Sequence, residues 1–127
     1  MSNLLIEKTN ELLSAMEADM VQWYNKSEFS YGPEYATERM ENLVWTWYEG
    51  RNFIKLVKIE ESDRGHRESV LGFVVKKSPK AIDNKTNEKF KVGDMLMAAG
   101  YNKPATNFAR GNVIDGYNES AVRWTGI

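Results

Sequence analysis

The first part of the chain has the spacing of an amphipathic helix. Between Asn3 and Tyr24 apolar residues recur at intervals of three, four and seven positions, and charged residues mostly lie between them. This pattern predicts a helix of about 20 residues. Its apolar stripe is long for a domain of this size, so we expect part of it to pack on a second copy of the chain. The stripe consists of Leu5, Leu12, Met16, Met20 and Trp23.

A second helix is predicted after the turn-forming residues 28–32. Pro33 suits the first position of a helix, because its missing N–H would have no partner there in any case. Gly50 can adopt the left-handed conformation in which helices commonly end. One face of this helix would be lined by Ala36, Met40, Leu43, Val44 and Trp47.

The middle of the chain changes to the pattern of strands. RNFIKLVKIE (residues 51–60) alternates polar and apolar residues, which predicts a half-buried strand. SVLGFVVKK (residues 69–77) is nearly all apolar and predicts a central strand, with Gly72 at a bulge or a close backbone approach. Residues 61–68 between them are expected to form a polar loop. KFKV (residues 89–92) resumes the alternation and predicts a third strand.

The last third predicts one short helix and two further strands. Asp94 can cap a helix that runs through Ala99 and ends at Gly100. NVID (residues 112–115) and AVRWTGI (residues 121–127) have strand patterns on either side of a turn. The sequence therefore predicts a single α+β domain over residues 1–127, with two N-terminal helices packed on an antiparallel sheet of four to five strands and one short inserted helix.

Composition and charge limit the possible functions. The chain has 17 basic and 18 acidic residues, so its net charge gives no general attraction for nucleic acid, and we expect no nucleic-acid partner. The absence of cysteine excludes a disulfide framework and a thiolate zinc site. No apolar run approaches the length of a membrane span and the first residues lack a basic leader, so we expect a cytoplasmic protein without membrane contact.

No residue pattern identifies a reaction. His66 is the only histidine, and it lies in the predicted polar loop without a second histidine to share a metal. The sequence contains no nucleophile elbow, Walker loop or dinucleotide fingerprint. We therefore predict a protein that is not an enzyme and has no catalytic residue, no metal and no cofactor.

The polar stretch NKPATNFARGNVID (residues 102–115) is the best candidate for a binding site. Arg110 combines a guanidinium suited to phosphate with a neighbouring glycine that lets an anion approach the backbone. Asparagine amides can donate to and accept from a base or ribose, and aromatic faces can stack a base. In the alternative interpretation, Arg110 pairs with Asp94 or Asp115 and the asparagines satisfy their own loop. The predicted ligand-binding residues are Asn107, Phe108, Arg110, Asn112 and Trp124, with Asn102 as a further amide.

The last third of the chain also resembles a known group of proteins. KFKVGDMLMAAGYNKPATNFARGN followed by AVRWTGI is similar to the C-terminal region of small tailed-bacteriophage proteins, in which K-x-G-D, ARGN and a final W-T-G recur. Within that group, the size, the element order and the late arginine resemble the phage Thoeris anti-defence sponges. Proteins of that family bind the cyclic ADP-ribose signal made by a host TIR enzyme, do not cleave it and assemble as homo-oligomers.

The resemblance implies a function and a set of contacts. The protein would sequester a cyclic nucleotide signal in the host cytoplasm, as a dimer or higher homo-oligomer. Arg110 would contact the diphosphate, Phe108 or Trp124 would stack the adenine, and Asn107 and Asn112 would hold ribose hydroxyls. Two alternatives stay open. The protein could inhibit a host protein by direct binding, or it could bind nucleic acid through Arg110 and Lys76, Lys77 and Lys80.

Overall fold

The computed structural model describes residues 3–26, 41–62, 65–76 and 90–127. A long helix is followed by three long strands, and the last third consists of short strands, turns and one 3₁₀ helix. The helix is α1 (Asn3–Lys26) and the long strands are β1 (Leu43–Glu49), β2 (Phe53–Ser62) and β3 (Gly65–Val75). The short elements are β4 (Met95–Leu96), β5 (Ala98–Gly100), β6 (Lys103–Pro104) and a 3₁₀ helix (Glu119–Ala121).

The predicted first helix is confirmed as α1. Four of its five stripe residues are buried, and Leu5, Leu12 and Met16 pack against Ile54, Leu56, Leu71 and Val74 of the sheet. Each such side chain contributes roughly 1.5–3 kcal/mol by leaving water. The stripe that predicted self-association is therefore covered mainly by the chain's own sheet, and self-association stays a prediction. No helix in the described residues has the length and apolar character that a bilayer crossing requires.

The predicted second helix is wrong over residues 43–49, which form β1. This strand pairs along its whole length with β2, antiparallel, from Leu43 opposite Glu60 to Glu49 opposite Ile54. The run VWTWY is made of β-branched and aromatic residues, which favour a strand. Trp45 and Trp47 point towards the helix-covered core, whereas Val44 is half-exposed on the other face. Pro33, Ala36 and Met40 lie outside the described residues.

The two predicted middle strands are confirmed as β2 and β3, but the polar loop between them is not. Glu61 pairs with His66, so most of the predicted loop extends the two strands. The bulge expected at Gly72 is present, because the register of β2 and β3 shifts between Leu56 and Val57, opposite this glycine. Gly72 has a φ of +153°, and a Cβ there would lie 2.6 Å from Cδ1 of Ile127.

Several predictions for the last third are wrong. The segment predicted as a helix from Asp94 to Ala99 is extended, with β4 paired to β3 and β5 paired to β6. Asp94 does accept a backbone hydrogen bond, at 2.9 Å from the N of Lys91, but this bond closes a turn that precedes β4. The predicted strands 90–92, 112–115 and 121–127 contain at most isolated bridges in the described residues. Lys89 lies outside them.

The four-stranded antiparallel sheet, in the order β1-β2-β3-β4, has a core on each face. The first core lies between the sheet and α1 and includes Val113 and Val122 from the last third. The second core lies on the opposite face, where Phe90 and Leu96 pack with Phe73 and Val75 of β3. Ala98 and Ala109 also pack there. The described fold is therefore α+β, and its last third covers parts of both faces.

Candidate functional site

The K-x-G-D segment (residues 91–94) and the ARGN segment (residues 109–112) are held together by hydrogen bonds. Asn112 is buried, and its Nδ2 donates to Oδ1 of Asp94 at 3.0 Å and to the carbonyl oxygen of Val92 at 3.1 Å. Its Oδ1 accepts from the backbone N of Ile114 and of Asp115, at 2.8 and 3.0 Å. The amide of Asn112 is thus used within the fold, where it joins the K-x-G-D segment to the ARGN segment.

Two glycines allow these segments to approach closely. A Cβ on Gly93, whose φ is +94°, would lie 2.8 Å from Oδ1 of Asn112. A Cβ on Gly111, whose φ is +149°, would lie 2.5 Å from Cβ of Tyr117. Both values are shorter than the contacts that real Cβ atoms make, and a non-glycine residue with such a φ is strained. Packing therefore accounts for both glycines without a ligand.

Arg110 differs from these neighbours, because its side chain is exposed. Its backbone N donates to the carbonyl oxygen of Met95 at 2.8 Å, which fixes the residue on the core. Its Nη2 lies 3.7 Å from Sδ of Met97, and its Cζ lies 4.5 Å from the centroid of the Phe108 ring. No acidic residue in the described ranges pairs with it.

The acids that were considered as partners of Arg110 have other contacts. Asp94 accepts from Asn112 and from the backbone of Lys91, and Asp115 pairs with the ammonium of Lys91. The part of the alternative interpretation in which one of them pairs with Arg110 is therefore wrong for the described residues. Its other part, in which the asparagines satisfy their own loop, agrees with the hydrogen bonds of Asn107 and Asn112.

The structure places the predicted site residues in separate regions of the fold. Asn107, Phe108 and Arg110 share one exposed loop, in which Oδ1 of Asn107 accepts from the backbone N of Phe108 at 3.0 Å. Trp124 packs instead beside α1, where its ring centroid lies 5.3 Å from that of Trp23 and its backbone N donates to Asp19 at 3.0 Å. The structure thus brings three predicted residues together and uses Asn112 and Trp124 in packing.

A cavity of about 410 Å³ lies between the β1–β2 turn and the tip of the β5–β6 hairpin. We call it the hairpin pocket. Its wall combines aromatic rings, two cations and two asparagines, and Glu49 also borders it. The residues that define its chemistry are Tyr48, Arg51, Phe53, Lys55, Phe73 and Asn102.

The sheet register creates the floor of the hairpin pocket. Tyr48 of β1 lies opposite Lys55 of β2, and Lys55 lies opposite Phe73 of β3, so the three side chains share one face. The β1–β2 turn beside them is held by the residue that follows β3, because the backbone N of Lys76 donates to the carbonyl oxygen of Asn52 at 2.8 Å. The ammonium of Lys76 also pairs with Glu49 at 2.7 Å, which offsets the acid at the pocket border.

Lys55 is the cation most closely built into the hairpin pocket. Its Nζ donates to Oδ1 of Asn102 at 2.6 Å and lies 3.8 Å from the centroid of the Tyr101 ring. The Tyr48 ring centroid lies 5.9 Å from the same atom. Within the described residues no carboxylate pairs with Lys55. In the described residues the direct contacts of Lys55 are with neutral groups, so its charge can attract an anion in the adjoining space.

Glu68 of β3 organises the polar groups beside the hairpin pocket. Its Oε1 accepts from the hydroxyl of Tyr48 at 2.8 Å and its Oε2 accepts from the hydroxyl of Tyr101 at 2.5 Å. Nε2 of His66 lies 3.4 Å from Oε1. The hydrogen bonds from Tyr101 and then Tyr48 lower the pKa of Glu68, and the bond to Glu68 raises the pKa of each tyrosine.

His66 lies on β3 and not in the loop that the sequence predicted. Its Nδ1 lies 2.6 Å from Oε1 of Glu61, directly across the β2–β3 pair. The hydrogen bonds to Glu61 and then to Glu68 raise the pKa of His66. In the described residues no group of three or more histidines, aspartates or glutamates is placed to hold a metal ion.

Comparison with known proteins adds no assignment to this geometry. No family model, curated protein or solved structure matches the chain. Sequence reasoning missed the hairpin pocket because its residues come from positions 48–55, 73 and 102, which only the sheet brings together. The one available signal was Asn102, which was already grouped with the amides of the C-terminal stretch.

Proposed function

We propose that the protein binds a small anionic ligand of the nucleotide class in the hairpin pocket and holds it without chemical change. The main support is Lys55, which lies half-buried at a cavity with no acidic partner in the described part of the chain. The rings of Tyr48 and Phe53 offer surfaces for a base, and the amide of Asn102 offers a polar contact. The cavity volume of about 410 Å³ lies within the usual range for small-molecule sites.

The phage-like resemblance supplies a specific ligand for this proposal. We propose a cyclic ADP-ribose signal as the ligand, and sequestration in the host cytoplasm as the biological effect. Sequestration requires only affinity, so it fits a pocket formed by side chains of binding character. Such a ligand carries two phosphates. We propose that Arg110, whose side chain is exposed, is the second cation that contacts them.

Calorimetry with cyclic ADP-ribose and AMP as probes tests this function. We expect Lys55→Met to weaken binding at least about tenfold, since it removes the ammonium group and keeps an unbranched side chain. Arg67→Met, which removes an exposed cation of β3 that does not line the pocket, is the matched control for charge, and Arg110→Met is the variant that tests the loop. Mass spectrometry of the ligand released after incubation should recover it intact.

Three results would count against the proposal. Absence of binding to both probes by the unaltered protein refutes the nucleotide function. Binding that is lost in Arg110→Met and kept in Lys55→Met moves the anion site from the hairpin pocket to the loop. Recovery of a cleaved ligand contradicts a purely binding role.

A host-protein inhibitor is a second candidate, because an exposed apolar surface lies beside Arg110. Met97 and Phe108, which contact Arg110, are each about half-exposed, and aromatic residues, methionine and arginine are enriched at protein interfaces. The nucleic-acid alternative has less support, since Lys76 is paired with Glu49. Lys77 and Lys80 lie outside the described residues. Pull-down from a host lysate with unaltered protein and with Phe108→Ala would test the inhibitor hypothesis.

A further inference from the structure

One carboxylate connects the two walls of the hairpin pocket. Tyr48 belongs to β1, and Tyr101 belongs to the tip of the β5–β6 hairpin next to Asn102. Each tyrosine donates to a different oxygen of Glu68, at 2.8 and 2.5 Å. The carboxylate therefore spans the gap between an edge strand and a separate hairpin.

Side chains alone make the hydrogen bonds from this tip to the sheet. Within the described residues these bonds are the one from Tyr101 to Glu68 and the one from Lys55 to Asn102. The base of the hairpin has other contacts. Ala98 packs on the second core, and the backbone N of Ala105 donates to the carbonyl oxygen of Met97 at 2.7 Å, which closes the hairpin at its base. The contacts that hold the tip against the sheet are thus separate from those that hold the base.

We propose that Glu68 is a positioning residue that clips the β5–β6 tip over the hairpin pocket and thereby sets its affinity for the ligand. The inference rests on the proposed function for its effect on binding, whereas the clip itself is a property of the protein alone. With the clip in place, the ring of Tyr101 stays against Lys55 and the amide of Asn102 stays at the pocket wall.

The charge of Glu68 is what allows it to accept both hydroxyls. A glutamine in its place has one oxygen and one NH₂ group, so it cannot accept the two hydroxyls on separate oxygens as the carboxylate does, and it also loses the charge that strengthens both hydrogen bonds. The other charged groups near the carboxylate are His66, Glu61 across the β2–β3 pair, and Lys55 under the ring of Tyr101. None of these groups accepts the tyrosine hydrogen bonds that the two oxygens of Glu68 accept.

Hydrogen exchange provides a test that needs no ligand. In Glu68→Gln we expect the amides of residues 98–103 to exchange roughly tenfold faster or more, while those of β2 and β3 keep their rates. Glu61→Gln is the matched control, because it makes the same charge change on the same sheet, and in the described residues its carboxylate contacts His66 and neither tyrosine. Equal exchange at the tip in Glu68→Gln and unaltered protein would overturn the clip, as would an equal effect of Glu61→Gln.

Calorimetry with cyclic ADP-ribose as probe then tests the effect on affinity. We expect Glu68→Gln to bind at least about fivefold more weakly and Glu61→Gln to bind like the unaltered protein. Faster exchange at the tip with unchanged affinity would refute the role of the clip in binding. If the unaltered protein does not bind the probe, the proposed function fails, and hydrogen exchange alone decides on the clip. Tyr101→Phe, which removes one hydroxyl, replaces Glu68→Gln if that variant does not fold.

Discussion

Replacing Asn112 with alanine should destabilise the protein strongly, although the residue lies in a polar stretch that resembles a binding site. The substitution removes four hydrogen bonds with donor–acceptor distances between 2.8 and 3.1 Å. Each such bond contributes about 0.5–1.5 kcal/mol net, and buried groups left without a partner add to the loss. We expect the free energy of unfolding to fall by about 2–4 kcal/mol.

Thermal unfolding followed by circular dichroism measures this loss. For a domain of this length, a decrease of about 2–4 kcal/mol corresponds to a fall in Tm of roughly 8–16 °C. Asn118→Ala is the control, because Asn118 is exposed and its Oδ1 accepts one backbone bond, at 3.1 Å from the N of Ser120. We expect that variant to lose less than about 1 kcal/mol.

The same two variants test whether Asn112 also contacts a ligand. At a temperature where Asn112→Ala stays folded, calorimetry with cyclic ADP-ribose should give the affinity of the unaltered protein, because the amide is directed into the fold. A fall in Tm no larger than that of Asn118→Ala would refute the structural role. Loss of affinity without loss of stability would support the ribose contact that the phage resemblance implies.

Two further outcomes follow from individual contacts. Gly93→Ala should lower the free energy of unfolding by more than about 1 kcal/mol, because the added Cβ would lie 2.8 Å from Oδ1 of Asn112 and the φ of +94° is unfavourable for alanine. Urea titration measures this loss, and an unchanged midpoint of urea unfolding would contradict the prediction. His66→Gln should destabilise most near pH 6 and lose its effect as the pH rises through the raised pKa of His66, since Glu61 and Glu68 stabilise the protonated ring in the folded protein. A Tm difference that grows towards alkaline pH would refute that sign.

Hydrophobic periodicity predicted those elements whose pattern reflects one buried face. The stripe of α1 and the alternation of β2 both match the burial that the structure shows. The second helix failed because Leu43, Val44 and Trp47 have spacings that also occur by chance in a strand. The side chains of Leu43 and Trp47 in fact lie on the core face of β1, and Val44 lies on the other. Strand propensity of the aromatic run was the better indicator here.

The last third was harder to predict because tertiary contacts determine its conformation. Asp94 suits a helix cap by type, yet Asn112, which lies 18 positions away, holds its carboxylate in a turn. The candidate site shows the same limit. Residue chemistry made Arg110 a candidate for anion binding, and this stays a prediction. The hairpin pocket depends on the register between β1, β2 and β3 and on the placement of Asn102, which residue chemistry does not reveal.

The docking of α1 has a consequence for how the protein is made. The hydrogen bond from the backbone N of Trp124 to Asp19 joins positions 105 residues apart, and the stripe of α1 packs partly on Val113 and Val122. Translation delivers the N-terminus first, so α1 leaves the ribosome long before the segment that completes its cover. The sheet of residues 43–75 can cover most of the stripe first, and the part of it that packs on Val113 and Val122 stays open to water and to chaperones until those positions have been synthesised.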